Sequence, residues 1–433
     1  MAKLVSHFER TTGFRFYALL FCLVLSFSIW PSLKTLLPPT SSVKSQAFDT
    51  KREVLLCQKL SGEGDYCEIE GDIRIQPNTS TVFVVLTHKD DDDEIMLNSW
   101  TVKPYVRGIA TNVKNWTIKT VSHTDNMLIN CTVNHNNPAV LFSAGGNYGN
   151  YYHSFSDLLS PLYMTSYSFQ QDVDFLASDY HDWWINKFRS VLSKLSRHPV
   201  VDIDNESGQV HCYRKMVVGL KFYSDLIVDE DATRVSIHGF RQLLRDSYSL
   251  KRKRSMESGR TSPRLMIVSR KRTRVLLNED EIVRVAKGIG FKVILAKEEE
   301  AANMSRFTHI VNSCDVIMGI HGAGLANLLF LPDKAVVIQL VPFGQLSYIA
   351  RNYFSAPVSK MKLRYLEYEV STEESSLSKT YPADDPVLKD PPSIHMKGWE
   401  MIDSVYLQNQ NITVDVGRFK DTLVKAMNLL VHH

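Results

Sequence analysis

Residues 265–341 read LMIVSRKRTRVLLNEDEIVRVAKGIGFKVILAKEEEAANMSRFTHIVNSCDVIMGIHGAGLANLLFLPDKAVVIQLV. Four short runs in this stretch are apolar and rich in β-branched residues: Leu265–Ser269, Phe291–Leu295, Val316–Ile320 and Ala335–Val341. Between the first two lies Glu279–Gly288, where Ile282, Val285 and Ala286, with Ile289 just beyond, share one face at helical spacing. A second helix is expected from about Ala301 to Ser313, and Gly324–Phe330 starts a third. Continuous apolar strands alternating with helices call for a parallel sheet covered on both faces, because such strands have no polar side to give to water.

The same alternation, less regular, runs upstream. Val82–Leu86 and Val140–Ser143 read as buried strands, Tyr151–Phe169 as a helix, Val173–Ala177 as a strand, Trp183–Leu195 as a helix and Tyr213–Leu220 as a strand. The fold class is therefore α/β, with two Rossmann-like domains facing a cleft. Residues 53–245 form the N-terminal domain. Residues 246–262, polar, basic and Gly/Ser-containing, read as a linker. Residues 263–433 form the C-terminal domain. Its final segment, 416–430, reads as a helix, and whether it returns to the first domain is open in the sequence.

Phe16 to Leu33 is an 18-residue run without a charge, preceded by Lys3, Arg10 and Arg15. It is long enough to span a bilayer as a helix, and the basic flank keeps residues 1–15 cytoplasmic. The reading is a retained signal anchor; a cleaved signal peptide, with Ser26 and Ser28 as the small-x-small site, is the alternative. Residues 34–52, rich in Ser, Pro, Thr and Lys, read as a stem. Either way the body lies in the secretory lumen. Six Asn-x-Ser/Thr sequons, at Asn78, Asn115, Asn130, Asn205, Asn303 and Asn411, agree with that placement. So do the cysteines, in a compartment that favours disulfides. Cys57 and Cys67 flank a short Gly-containing loop and are the best pair, Cys131 with Cys212 is one further pairing the sequence leaves open, and Cys314 reads as a free buried thiol rather than a reactive one.

The chain has 433 residues, 44% of them hydrophobic, with Lys+Arg 50 against Asp+Glu 47. This excludes a disordered chain, a collagen-like repeat and a polytopic membrane protein. The net charge of +3 hides an asymmetry: residues 245–274 hold eleven basic and two acidic residues, +9, which leaves −6 for the rest. A nucleic-acid partner for that patch conflicts with a lumenal body.

Three motifs carry chemistry. In the first, a glycine loop (Gly145, Gly146, Gly149) and Asn150, a plausible N-cap, precede His153 and Asp157. This pair shares a helix face at i, i+4, opposite Phe155, Leu158, Leu159 and Leu162. It reads as a base with its orienting carboxylate, pointing away from the core; a solvated pair is the bland reading. The second, Ser269 to Arg274, follows a strand end, where parallel sheets bind ligands. Arg270 and Arg274, more than Lys271 and Arg272, suit phosphate oxygens. The third, His321, Gly322, Ala323 and Gly324 with Asn327, joins a strand end to a helix start, a phosphate-binding geometry. The run Asp90–Glu94 reads as a solvated loop rather than a metal site. The segment from Trp100 to Arg107 mixes aromatic and basic residues, and spacing does not decide between sugar binding and a structural role.

Taken together, CQKLSGEGDYCEIEGDIRI (57–75), WTVKPYVRG (100–108), GGNYGNYYHSFSD (145–157), RLMIVSRKRTR (264–274) and IMGIHGAGLANLLFLP (317–332) resemble plant glycosyltransferase family 61, most of all its xylan-substituting branch. The resemblance implies a Golgi type II membrane protein with a GT-B fold. It implies inverting transfer of xylose or arabinofuranose from a UDP-sugar to xylan in cell-wall or mucilage synthesis, with no essential metal or other cofactor. It implies a UDP-pentose donor, a xylan or xylo-oligosaccharide acceptor and no nucleic acid, and is compatible with homo- or hetero-oligomers among wall-synthesis enzymes. His153 and Asp157 become the catalytic pair, either one the base. Ser269, Arg270, Arg274, His321, Gly322, Ala323, Gly324 and Asn327 become the UDP-sugar site. More distant relatives act on N-glycans or protein O-glycans, and a non-catalytic glycan-binding scaffold is the remaining alternative.

Overall fold

The computed structural model describes residues 46–50, 53–59, 64–86, 98–125, 129–228, 235–256, 262–297 and 303–431. The anchor at 16–33, most of the stem and the acidic run 90–94 lie outside the described residues. Among the described residues no helix is long and apolar enough to cross a membrane, and no group of three or more His, Cys, Asp or Glu is placed to hold a metal ion.

The second half folds as its pattern demands. Strands Lys292–Ala296, Arg264–Val268, Val316–Ile320, Val336–Val341 and Arg364–Glu369 lie side by side in that order, all parallel. Two of the three inner strands, Val316–Ile320 and Val336–Val341, are buried along their whole length. The fifth strand, Arg364–Glu369, reads RYLEYE. An edge position tolerates that polar pattern, which is why it carries no strand signal in the sequence. Helix Val416–Val431 packs on helix Glu279–Ile289 and on the last two strands, so it stays with this half.

The first half departs from a doubly wound sheet. Val201–Asp202, Asp174–Ser178, Ala139–Ser143 and His211–Val218 are parallel neighbours. The twelve-residue strand Asp65–Gln76 then runs antiparallel to both His211–Val218 and Thr81–Leu86. Its buried Ile69, Ile73 and Ile75 alternate with half-exposed polar residues, the mark of an antiparallel strand with one wet face. Strand Glu53–Lys59 pairs with it, and Gln46–Thr50, expected within the stem, pairs in turn with Glu53–Lys59. The sheet is therefore mixed and eleven-stranded. Disulfides join Cys57 to Cys67, directly opposite in register, and Cys131 to Cys212. Cys314 is free and buried, and burial pushes its thiol up to about 11.

The two halves share one hydrophobic core. The Phe155 ring meets Phe330 at 5.7 Å, as does Tyr248. The described part of the segment read as a linker, 246–256, is not free chain. It begins as the end of helix Ile237–Ser247, whose fully buried Arg241 donates to the carbonyls of Leu329, Leu331 and Met361 and to Asp333. Arg252 then bonds the Asp315 carboxylate and the Ser313 carbonyl, and the Ser255 amide bonds the Asp333 carbonyl at 2.8 Å. Two of the basic residues counted in the +9 stretch thus help hold the halves together: Arg252, and Arg245, which donates to the Leu331 carbonyl and pairs with Asp333.

Candidate active site

A cavity of about 520 Å³ opens where the halves meet. Gly149, Asn150 and Tyr151 come from the first half; Ser269, Arg270, Ala323, Gly324 and Asn327 come from the strand ends of the second. Two of the three motifs therefore meet the end of the first at one place. The Tyr151 hydroxyl donates to Asn327 Oδ1 at 2.9 Å across the seam, and Asn327 Nδ2 donates to the Gly324 carbonyl at 2.8 Å. The Ser269 hydroxyl donates to Glu279 at the start of the following helix. Phe307 and Ala296 add an apolar wall.

Behind Gly322 two guanidinium groups approach each other. A β-carbon on Gly322, whose φ is +147°, would stand 2.7 Å from Arg270 Nη1 and 3.5 Å from Arg274 Nη2, so only glycine fits there. Thr273 fixes Arg270 through its carbonyl (2.9 Å) and hydroxyl (3.0 Å). Arg274 is buried, adopts φ +52°, and its Nε has no hydrogen-bond partner. Burial first, and then the charge of Arg270, lower Arg274 to about 10. His321 is buried beside them, with Nδ1 facing the Gln339 amide at 2.7 Å. Two crowded cations with an orphaned donor are chemistry suited to an anion.

That crowding has a pH consequence. Burial first, and then Arg274 and Arg270, push His321 down to about 3. The unfolded imidazole protonates near 6.5. A depressed folded value stabilises the fold above that pH, and the contribution is lost as pH falls from about 6.5 toward 3. We expect His321→Asn to be less acid-sensitive than the native chain, the two diverging by about 1.4 kcal/mol per pH unit below about pH 6 in urea denaturation. Parallel pH profiles would refute this.

The first motif is arranged differently from its sequence reading. Asn150 caps the helix, its side chain accepting from the Tyr152 amide at 2.9 Å. The helix then takes a π-type turn over Ser154–Leu159 and is buried on every side through Ser166. Asp157 is consequently fully buried, not solvent-facing. Its Oδ2 accepts from Tyr105 (2.8 Å), Arg107 Nε (2.7 Å) and His153 Nδ1 (3.0 Å), and its Oδ1 from Arg107 Nη2 (2.7 Å) and Ser156. Burial alone would raise its pKa; the bonds from His153 and Arg107 outweigh that and hold it well below the usual carboxylate range. Arg107 also pairs with Asp225. His153 is partly exposed, and its Nδ1 lies 3.4 Å from Arg107 Nη2. A β-carbon on Gly146 (φ +66°) would strike the Tyr105 ring at 2.4 Å. Tyr152 packs on Tyr353 and Phe354, and His321 packs on the same two rings from the other half.

In the sequence reading Tyr105 and Arg107 carry only an undecided sugar-binding or structural role, and Asp225 carries none. The aromatic-basic run 100–107 is the signal for the first two, and an Asp inside an apolar helix is a second signal that a cation must be near. Asp225 has none.

Residues 151–338 match the family model for Glycosyltransferase 61. An alpha-1,3-arabinosyltransferase of Oryza sativa subsp. japonica is 38% identical over 384 residues, 87% of this chain and 65% of its own. A beta-1,2-xylosyltransferase of the same plant is 35% identical over 397 residues, 87% of this chain and 84% of its own. The chain belongs to the glycosyltransferase 61 family. A xylan glycosyltransferase of Arabidopsis thaliana is 33% identical over 409 residues, 89% of this chain and 82% of its own. The chain spans just under two thirds of the arabinosyltransferase. The family-61 match contains His153, Asp157, Asp225, both arginines and the His321–Gly324 turn, whereas Tyr105, Arg107 and Tyr353 lie outside it.

Proposed function

We propose that this family-61 chain transfers a pentose, xylose or arabinofuranose, from a UDP-sugar to the xylan backbone with inversion. The observation that carries the reading is the cavity built from both halves beside the Arg270–Arg274 pair, in a chain whose relatives are named an arabinosyltransferase, a xylosyltransferase and a xylan glycosyltransferase. The diphosphate takes Arg270, Arg274 and the His321–Gly324 turn; Ser269 and Asn327 complete the donor wall. In this reading guanidinium charge and backbone amides stabilise departing UDP, the role a metal fills elsewhere. In this reading the chain is a GT-B enzyme, with its body in the Golgi lumen behind a type II anchor at 16–33.

Inversion requires one base to take the acceptor hydroxyl proton. Asp157 already accepts five hydrogen bonds, so it has no lone pair to spare and little proton affinity. His153, with Nδ1 held by Asp157 at 3.0 Å rather than by Arg107 at 3.4 Å, keeps Nε2 as the basic nitrogen. His153 is the base and Asp157 its orienting carboxylate.

The purified chain, incubated with xylo-oligosaccharides and a panel of UDP-sugars, should transfer one pentose. Arg274→Ala should weaken UDP binding about 10- to 100-fold by calorimetry, the loss of one charge-assisted contact. No transfer from any UDP-pentose, or unchanged UDP affinity in Arg274→Ala, would count against the assignment.

A further inference from the structure

A second cavity, of about 430 Å³, lies in the first half alone. It sits outside the carboxyl ends of three adjacent parallel strands, Ala139–Ser143, Asp174–Ser178 and Val201–Asp202. The segment after each contributes: Tyr148 after the first, Asp179 and His181 after the second, and Asp204 after the third. Open parallel sheets bind ligands at this edge. The Tyr148 ring stacks on His181 with centroids 3.9 Å apart, and Trp183, 47% exposed, stands 5.8 Å from Tyr148. The stacked Tyr148 and His181 thus line the cavity, and Trp183 stands tilted beside Tyr148 at its margin, offering an exposed ring face there.

The polar lining selects the occupant. Asp179 is fixed by the Ser143 hydroxyl (2.6 Å) and the Lys114 amide (3.0 Å). Asp204 is fixed by Lys114 Nζ (2.8 Å) and the Asp179 amide (2.7 Å). With Asp202 the cavity presents three carboxylates, and the Lys114 ammonium answers one of them. A phosphate or an acidic peptide is repelled. A neutral ligand with a flat apolar face and many hydroxyl donors is matched on both counts, and a pyranose ring is such a ligand.

The aromatic cluster and the donor cavity are joined through one stretch of chain. Tyr148 faces the smaller cavity, and its neighbours Gly149 and Asn150 line the larger one. The Asn147 amide bonds the Tyr105 hydroxyl at 3.1 Å, which in turn bonds Asp157. We propose that Tyr148, His181 and Trp183, with Asp179 and Asp204 below them, hold an outlying sugar of the acceptor chain and feed the chain across residues 148–150 to His153. That the chain is xylan rests on the proposed function; that the site takes a neutral pyranose chain does not.

Calorimetric titration of the full chain with xylohexaose, without donor, tests the site independently of turnover. Trp183→Ala should weaken binding about tenfold, and Trp183→Phe should recover most of it. UDP affinity serves as the check that the variant is folded. In transfer assays KM for xylohexaose should rise with kcat little changed, and the effect should fade with xylobiose, too short to reach. No xylohexaose binding by the native chain, or equal binding by Trp183→Ala, overturns the proposal. Asn205, a sequon asparagine, also lines the cavity. Xylohexaose binding that appears only in Asn205→Gln would show the site occupied by the chain's own N-glycan, and would overturn the proposal too. Trp183-dependent binding without transfer from any UDP-pentose would leave the site standing and remove the proposed activity.

Discussion

His153→Ala is expected to lower pentose transfer about 10³-fold while UDP affinity stays at the native value. A positioned base contributes roughly 10²- to 10⁴-fold. The middle of that range applies because Asp157, the carboxylate bonded to His153, has both oxygens filled and cannot substitute. The side chain is partly exposed and makes one strong contact, so its removal should not unfold the helix. Single-turnover transfer with saturating donor reads the chemical step directly. Native-like turnover in His153→Ala would sink the base assignment. A loss matched by an equal loss of UDP affinity would move His153 from proton transfer to donor binding.

How much of this was legible in the sequence depends on where each signal came from. The second sheet was readable because its inner strands are apolar on both faces and its helices are strongly periodic. The arginine and glycine motifs were readable because they fall at strand ends, and the structure brings them to one cavity. The first sheet was misread because Asp65–Gln76 is an alternating strand inserted between parallel ones, and local pattern does not report pairing partners. The linker was misread for a related reason. Arg252 looks like solvated charge in sequence, yet it meets backbone carbonyls and a carboxylate far along the chain. The face of Asp157 was misread because i, i+4 geometry assumes a helix with a wet side. Ser154–Leu159 has a π-type turn and no wet side, so the carboxylate had to be satisfied from within. Arg107 is 50 residues away, too far for any helical spacing to reveal.

Arg107→Met should therefore be the most destabilising single change at the site, costing about 3–5 kcal/mol in urea denaturation. The guanidinium supplies two of the five bonds on Asp157 and spans from there to Asp225. Removing it leaves a fully buried carboxylate with only Tyr105, Ser156 and His153. Asp157 would answer by rising toward protonation, since burial is the largest influence on it and acts in that direction. Once protonated it no longer fixes the His153 tautomer, so the stability loss and the activity loss have one origin. The double variant Arg107→Met/Asp157→Leu separates them. It removes the stranded charge and should regain most of the stability, because apolar replacements of a buried ion pair are often neutral or better. It should regain none of the transfer, because His153 then has no carboxylate to orient it. A cost below about 1 kcal/mol for Arg107→Met would mean that Asp157 is neutral in the native fold, and the reading of His153 as an oriented base would go with it.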